Sequence, residues 1–142
     1  METRANTLKE LVIISVTIKW IPHDDTATDA GDAGTLAELA FGTIQINVAE
    51  ETGGSAKRSF KIGNTGTSKA EDCELSFTGA NSEAVGWKTL CATEGGSYTT
   101  TLEIADIDED AISPVLWAQS TVPYTATTGN HETNLTIEYT YV

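Results

Sequence analysis

Apolar residues recur at every second position in short runs separated by glycine-rich turns, and this pattern restricts the chain to strands. In residues 11–20, LVIISVTIKW, the side chains of Val12, Ile14, Val16, Ile18 and Trp20 share one face while Ile13, Ser15, Thr17 and Lys19 share the other. The same alternation places Ile44, Ile46 and Val48 together in residues 43–49, Phe60 and Ile62 in 57–63, and Cys73, Leu75 and Phe77 in 73–78. Residues 87–92 give a shorter candidate. Residues 98–105 group Tyr98, Leu102 and Ile104; 115–122 form a further run; 132–142 align Leu135, Ile137, Tyr139 and Tyr141. Between the runs lie turn signals such as TGGS at 52–55, GNTG at 63–66, GANS at 79–82, EGGS at 94–97 and TGN at 128–130. The only plausible helical turn is 36–40. The pattern predicts an all-β, antiparallel β-sandwich of about seven to eight strands preceded by an N-terminal extension strand. Ile46, Phe60, Leu75, Leu102, Ile137 and Tyr139 are expected in one core.

The N-terminal run invites two other readings, and both fail on its length. A secretory signal needs a basic start, roughly 7 to 15 apolar residues and a small-residue cleavage site. Here Glu2 and Glu10 flank Arg4 and Lys9, the unbroken apolar run is 11–14, and no A-x-A-like site follows Trp20. A membrane span needs about 20 apolar residues, and Lys19 and the acids after Pro22 end the run first. It is therefore expected to be a strand. The segment behind it, PHDDTATDAGDAGT at 22–35, is small, polar and acidic, as suits a long loop or a hinge. Residues 1–35 are accordingly expected to form an N-terminal strand with an acidic flexible segment, and 36–142 the sandwich domain. A hinge would free the first strand to pair with a neighbouring subunit, since a strand with one apolar face cannot stand alone in water.

Charge narrows the partners. With 21 acids against 8 basic residues the formal net charge is −13, and the only basic cluster is Lys57-Arg58. Such a field repels phosphate, so neither nucleic acid nor an anionic membrane is an expected partner. The same charge favours solubility.

The order of features from residue 43 onward carries a resemblance. SFKIGNTGTSKAEDCELSFTG is a strand, an N-x-G turn and a second strand; AVGWKTL follows; a strand then ends in IADIDEDAISP; VLWAQSTVPYTATTGNHETNLTIEYTYV closes the chain. This order resembles the immunoglobulin-like accessory domains found beside bacterial glycosidases and in archaeal and phage surface proteins, over roughly 100 residues. The glycine usual before the penultimate strand is replaced here by the acidic stretch 106–110. The resemblance implies an immunoglobulin-like fold and a spacer, adhesive or structural role, with no catalytic residue to carry over.

Asp106, Asp108 and Asp110 form D-x-D-x-D, a spacing that can offer alternate carboxylates to calcium, but the EF-hand glycine and its distant glutamate are missing. Asp24, Asp25, Asp29 and Asp32 follow no ligand spacing. Cys73 and Cys91 are either bonded across the sandwich or two buried thiols; a reducing compartment of synthesis favours thiols. His23 and His131 fall in predicted loops with no third orienting group, and no G-x-S-x-G, phosphate-cradling loop or H-E-x-x-H occurs. No cofactor is expected, and the chain is not expected to be an enzyme. Trp20 and Trp87 fall on apolar faces and read as core. Trp117 depends on parity: pointing outward beside Val115 it marks an interface, pointing inward it is core. The sequon Asn134-Leu135-Thr136 lies in a predicted strand.

An immunoglobulin-like sandwich works outside cells, and without an export signal the class that reconciles the two is the virion protein, made in the host cytoplasm and displayed on the virion surface. The expected function is a capsid decoration protein. Its partners would be the major capsid or another virion protein and further copies of itself, a trimer among the possible assemblies. Val12, Ile14, Val16, Ile18 and Trp20 would face a neighbouring subunit, and Val115 and Trp117 are the second candidate interface. The alternative is a carbohydrate-binding or spacer module of a larger surface protein, for which a glycan would be the ligand.

Overall fold

The computed structural model describes residues 15–22, 41 and 44–141, and they form an all-β sandwich of two antiparallel sheets. The strands are β1 (Ile18–Pro22), β2 (Gly54–Asn64), β3 (Glu71–Thr78), β4 (Lys88–Cys91), β5 (Thr101–Ile104), β6 (Ala111–Ile112), β7 (Leu116–Val122) and β8 (Asn134–Thr140). One sheet runs in the order β1-β2-β7-β4 with β6 paired to the end of β2; the other runs β5-β3-β8. The core fills the space between them, and its largest fully buried side chains include Trp20, Phe60, Ile62, Leu75, Leu90 and Leu135. Of the six residues expected there, Phe60 and Leu75 are fully buried, Leu102, Ile137 and Tyr139 pack half-buried against the core, and Ile46 is half-buried.

The N-terminal strand belongs to this core. β1 pairs with β2 along Ile18↔Asn64, Trp20↔Ile62 and Pro22↔Phe60, Trp20 is 0% exposed, and Val16 packs against the same cluster. The expectation that Val16, Ile18 and Trp20 face a neighbouring subunit is therefore corrected. The sandwich needs a strand beside β2, and this one supplies both its hydrogen bonds and its indole. Val12 and Ile14 lie outside the described residues, as do the expected helical turn at 36–40 and all of the acidic segment except Pro22. The expected division at residue 35 lies outside the described residues, and residues 18–22 pair with β2 of the sandwich.

Two further elements differ from expectation. Residues 43–49 were expected as a strand, yet the chain turns at Asn47, whose backbone pairs reciprocally with Thr52. The Asn47 side chain accepts from the Glu50 amide at 3.1 Å, giving the backbone a local alternative to a sheet ladder, and Val48 is left exposed. Residues 82–86 form a one-turn helix, α1 (Ser82–Gly86), where only a turn was expected; the Asn81 side chain accepts from Ala84 N and caps it.

Candidate functional site

Two clusters of buried polar groups sit at opposite ends of β2. At its C-terminal end Asn64, 1% exposed, has every hydrogen-bonding position of its amide in use. Its Nδ2 donates to the carbonyls of Ser68 (2.8 Å) and Ile107 (3.1 Å), and its Oδ1 accepts from Gly66 N (3.0 Å) and Thr17 N (3.3 Å). One side chain thus fastens the N-terminal strand, the N-x-G turn and the loop before β6. A Cβ at Gly66 would collide with the Ser15 carbonyl, so the glycine is required by the close approach of residues 15–17.

At the other end lies a cavity of about 620 Å³. Lys88 on β4 and Ser120 on β7 stand opposite each other in register, and both line it. Lys88 is 5% exposed. Its ammonium lies 5.5 Å from the Phe41 ring centre and 5.6 Å from that of Trp87, and its one hydrogen bond among the described residues, to Ala84 O, is long at 3.4 Å. No carboxylate pairs with it among the described residues. Burial in this setting pushes the Lys88 pKa down from its ordinary value. Ser120 is 1% exposed, and its hydroxyl has no hydrogen-bond partner among the described residues.

The cavity wall is braced by His131. Its Nε2 lies 2.7 Å from Thr127 O and its Nδ1 3.0 Å from Asn81 Nδ2, so Nε2 carries the proton and Nδ1 accepts. The ring meets Trp87 edge-on at 4.9 Å. With both nitrogens occupied the imidazole joins the 126–133 loop to the start of α1. Across the opening, Arg58 donates to Phe41 O at 3.0 Å and holds that ring over Lys88.

The residues singled out by sequence fall as follows. Asp106 and Asp108 flank Ile107, which points into the core and pairs with Ala70; Asp106 Oδ1 accepts from Asp72 N, and Asp110 occupies a left-handed turn position. No three His, Cys, Asp or Glu side chains converge on a common point among the described residues. Cys73 and Cys91 are buried free thiols. Burial, then Asp106, pushes the Cys73 thiol pKa up, against a weaker opposing effect of a backbone hydrogen bond from Ile107, so it is held in its unreactive form. Trp87 is not on a strand but at the end of α1, half-buried on the cavity wall. Leu116, Ala118 and Ser120 point inward, so Trp117 takes the outward parity and is half-buried, as is Val115. Asn134 is exposed at the start of β8.

Lys88, Ser120 and Asn64 were not singled out from sequence, and His131 was named only as a loop residue without an orienting group. A signal existed for Lys88: in WKTLC it occupies the same parity as Leu90, the parity of a buried face. No family model, curated protein or solved structure matches this chain.

Proposed function

We propose that this chain is a structural virion protein, a capsid decoration protein of immunoglobulin-like architecture that binds the capsid exterior and neighbouring subunits. The observation that supports this reading is the outer edge of β8. Among the described residues this seven-residue strand pairs only with β3, and it carries one charge, Glu138. A long edge with so little charge is a template for an added strand, in which main-chain hydrogen bonds supply the adhesion. At its C-terminal end Tyr139, within the strand, and Tyr141, just past it, lie 6.4 Å apart with Tyr141 exposed, a residue type enriched where proteins meet. Because β1 is engaged in its own sheet, the added strand comes from the partner. The net charge of −13 keeps free subunits apart until they dock.

Co-sedimentation with shells assembled from the major capsid protein of the same genome tests the reading. The protein should pellet with the shells at a fixed ratio, and Tyr141→Lys should weaken the association with no change in melting temperature. Retention in the supernatant at excess shell contradicts it. The outward parity of Trp117 favours a second reading, a carbohydrate-binding module; glycan-array binding abolished by Trp117→Ala would select it.

A further inference from the structure

The cavity between Lys88 and Ser120 is independent of any strand edge, and its chemistry is specific. In a chain with 21 acids and 8 basic residues, a lysine has been buried with none of those acids paired to it among the described residues, although Glu132 lines the same cavity. An ammonium out of water and without a counter-ion is costly. Two aromatic faces and one long hydrogen bond return part of that cost. Two of its three N–H donors still have no acceptor among the described residues. The Ser120 hydroxyl, directly across the β4–β7 pair, is a second donor without a partner among the described residues. Side chains opposite each other in an antiparallel pair project from one face about 5 Å apart, so two unused donor groups, one of them cationic, converge on the same space.

We propose that this cavity binds a small monocarboxylate with an apolar body, its carboxylate held between the Lys88 ammonium and the Ser120 hydroxyl. One wall argues for the apolar body: Phe41, Ile44, Ile46 and Val122 line it with Trp87, while the 127–134 loop, Glu132 included, gives the space a polar rim. A volume of about 620 Å³ falls in the range of small-molecule sites. The donor set argues for a single negative charge, because a phosphate dianion asks for more donors than one ammonium and one hydroxyl. Cations are repelled by Lys88. The wall is preorganised by the hydrogen bonds of His131 to Thr127 and Asn81 and by the grip of Arg58 on Phe41.

Titration of the full chain with octanoate and with its neutral isostere octanamide tests the proposal, read by tryptophan fluorescence, since Trp87 lines the cavity, and by melting temperature. Octanoate should give a saturable fluorescence change and raise the melting temperature, and octanamide should bind about tenfold or more weakly. Lys88→Met should remove the preference for the acid, and Ser120→Ala should weaken octanoate severalfold with the fold unchanged. The proposal is overturned if octanoate shows no saturable binding up to its solubility limit, if the amide binds as well as the acid, or if both variants bind octanoate like the parent.

Discussion

The two ends of β2 handle buried polarity in opposite ways. At the Asn64 end four hydrogen bonds satisfy one amide, and Ile18, Trp20 and Ile62 close over it. At the Lys88 end an ammonium and a hydroxyl are buried with their donors largely unused beside a cavity. A fully satisfied network rigidifies a fold, whereas a half-satisfied one costs stability. The closed end is therefore scaffold. The open end holds groups that no described residue uses, the ones proposed above to meet a carboxylate.

The largest effect is expected at the closed end. Trp20→Ala should cost about 3–5 kcal/mol in urea denaturation, because a fully buried indole leaves a cavity that the sheets cannot refill. A cost below about 1 kcal/mol would mean that β1 is not part of the core, and would restore the N-terminal strand as an arm for a neighbour. Asn64→Ala should follow at about 3 kcal/mol, since it orphans two amides and two carbonyls at once. If instead it is as mild as a surface change, water replaces the amide and the two ends do not differ.

At the open end the sign reverses. Lys88→Met keeps the apolar stem, exchanges the cation–π contacts for sulfur–aromatic ones and removes the uncompensated charge, so it should stabilise the unliganded protein by about 1–2 kcal/mol at neutral pH. The pH dependence has a definite direction. Burial lowers the Lys88 pKa in the folded state while the unfolded chain keeps the ordinary value of 10.5, so between the two the unfolded chain binds the extra proton. The cost of Lys88 is fully present below its folded pKa and fades as pH climbs from there toward 10.5. The advantage of Lys88→Met over the parent should shrink over that window, and comparing the two cancels the titration of Cys73 and Tyr98, whose pKa values burial raises. Ser120→Ala is the smallest change, within about 0.5 kcal/mol of neutral, because the hydroxyl it removes has no bond to lose among the described residues.

Period-two alternation made most of the sandwich legible. β2, β3, β7 and β8 all lie where it placed them, because their inward residues are covered by the opposing sheet. It misled at residues 43–49, where the Asn47 side chain captured its own turn. It was blind to coverage: the apolar face of β1 could be read, but whether Trp20 packs on its own chain or another depends on the register with Ile62, 42 positions away. The open site escaped for a related reason. Lys88 and Ser120 are 32 residues apart and each is unremarkable alone; only the pairing of β4 with β7 brings them together. The GNTG turn was visible as a turn, while the four bonds of its asparagine required the fold.

The claim that the Lys88 end sacrifices stability to keep donors free is tested most directly by thermal denaturation of the unliganded parent and Lys88→Met at neutral pH. The account predicts that the variant melts higher, by roughly 3–6 °C for 1–2 kcal/mol in a chain of this size. A variant that melts lower would show that Lys88 is compensated within the protein, and would contradict the division of the molecule into a closed end and an open one.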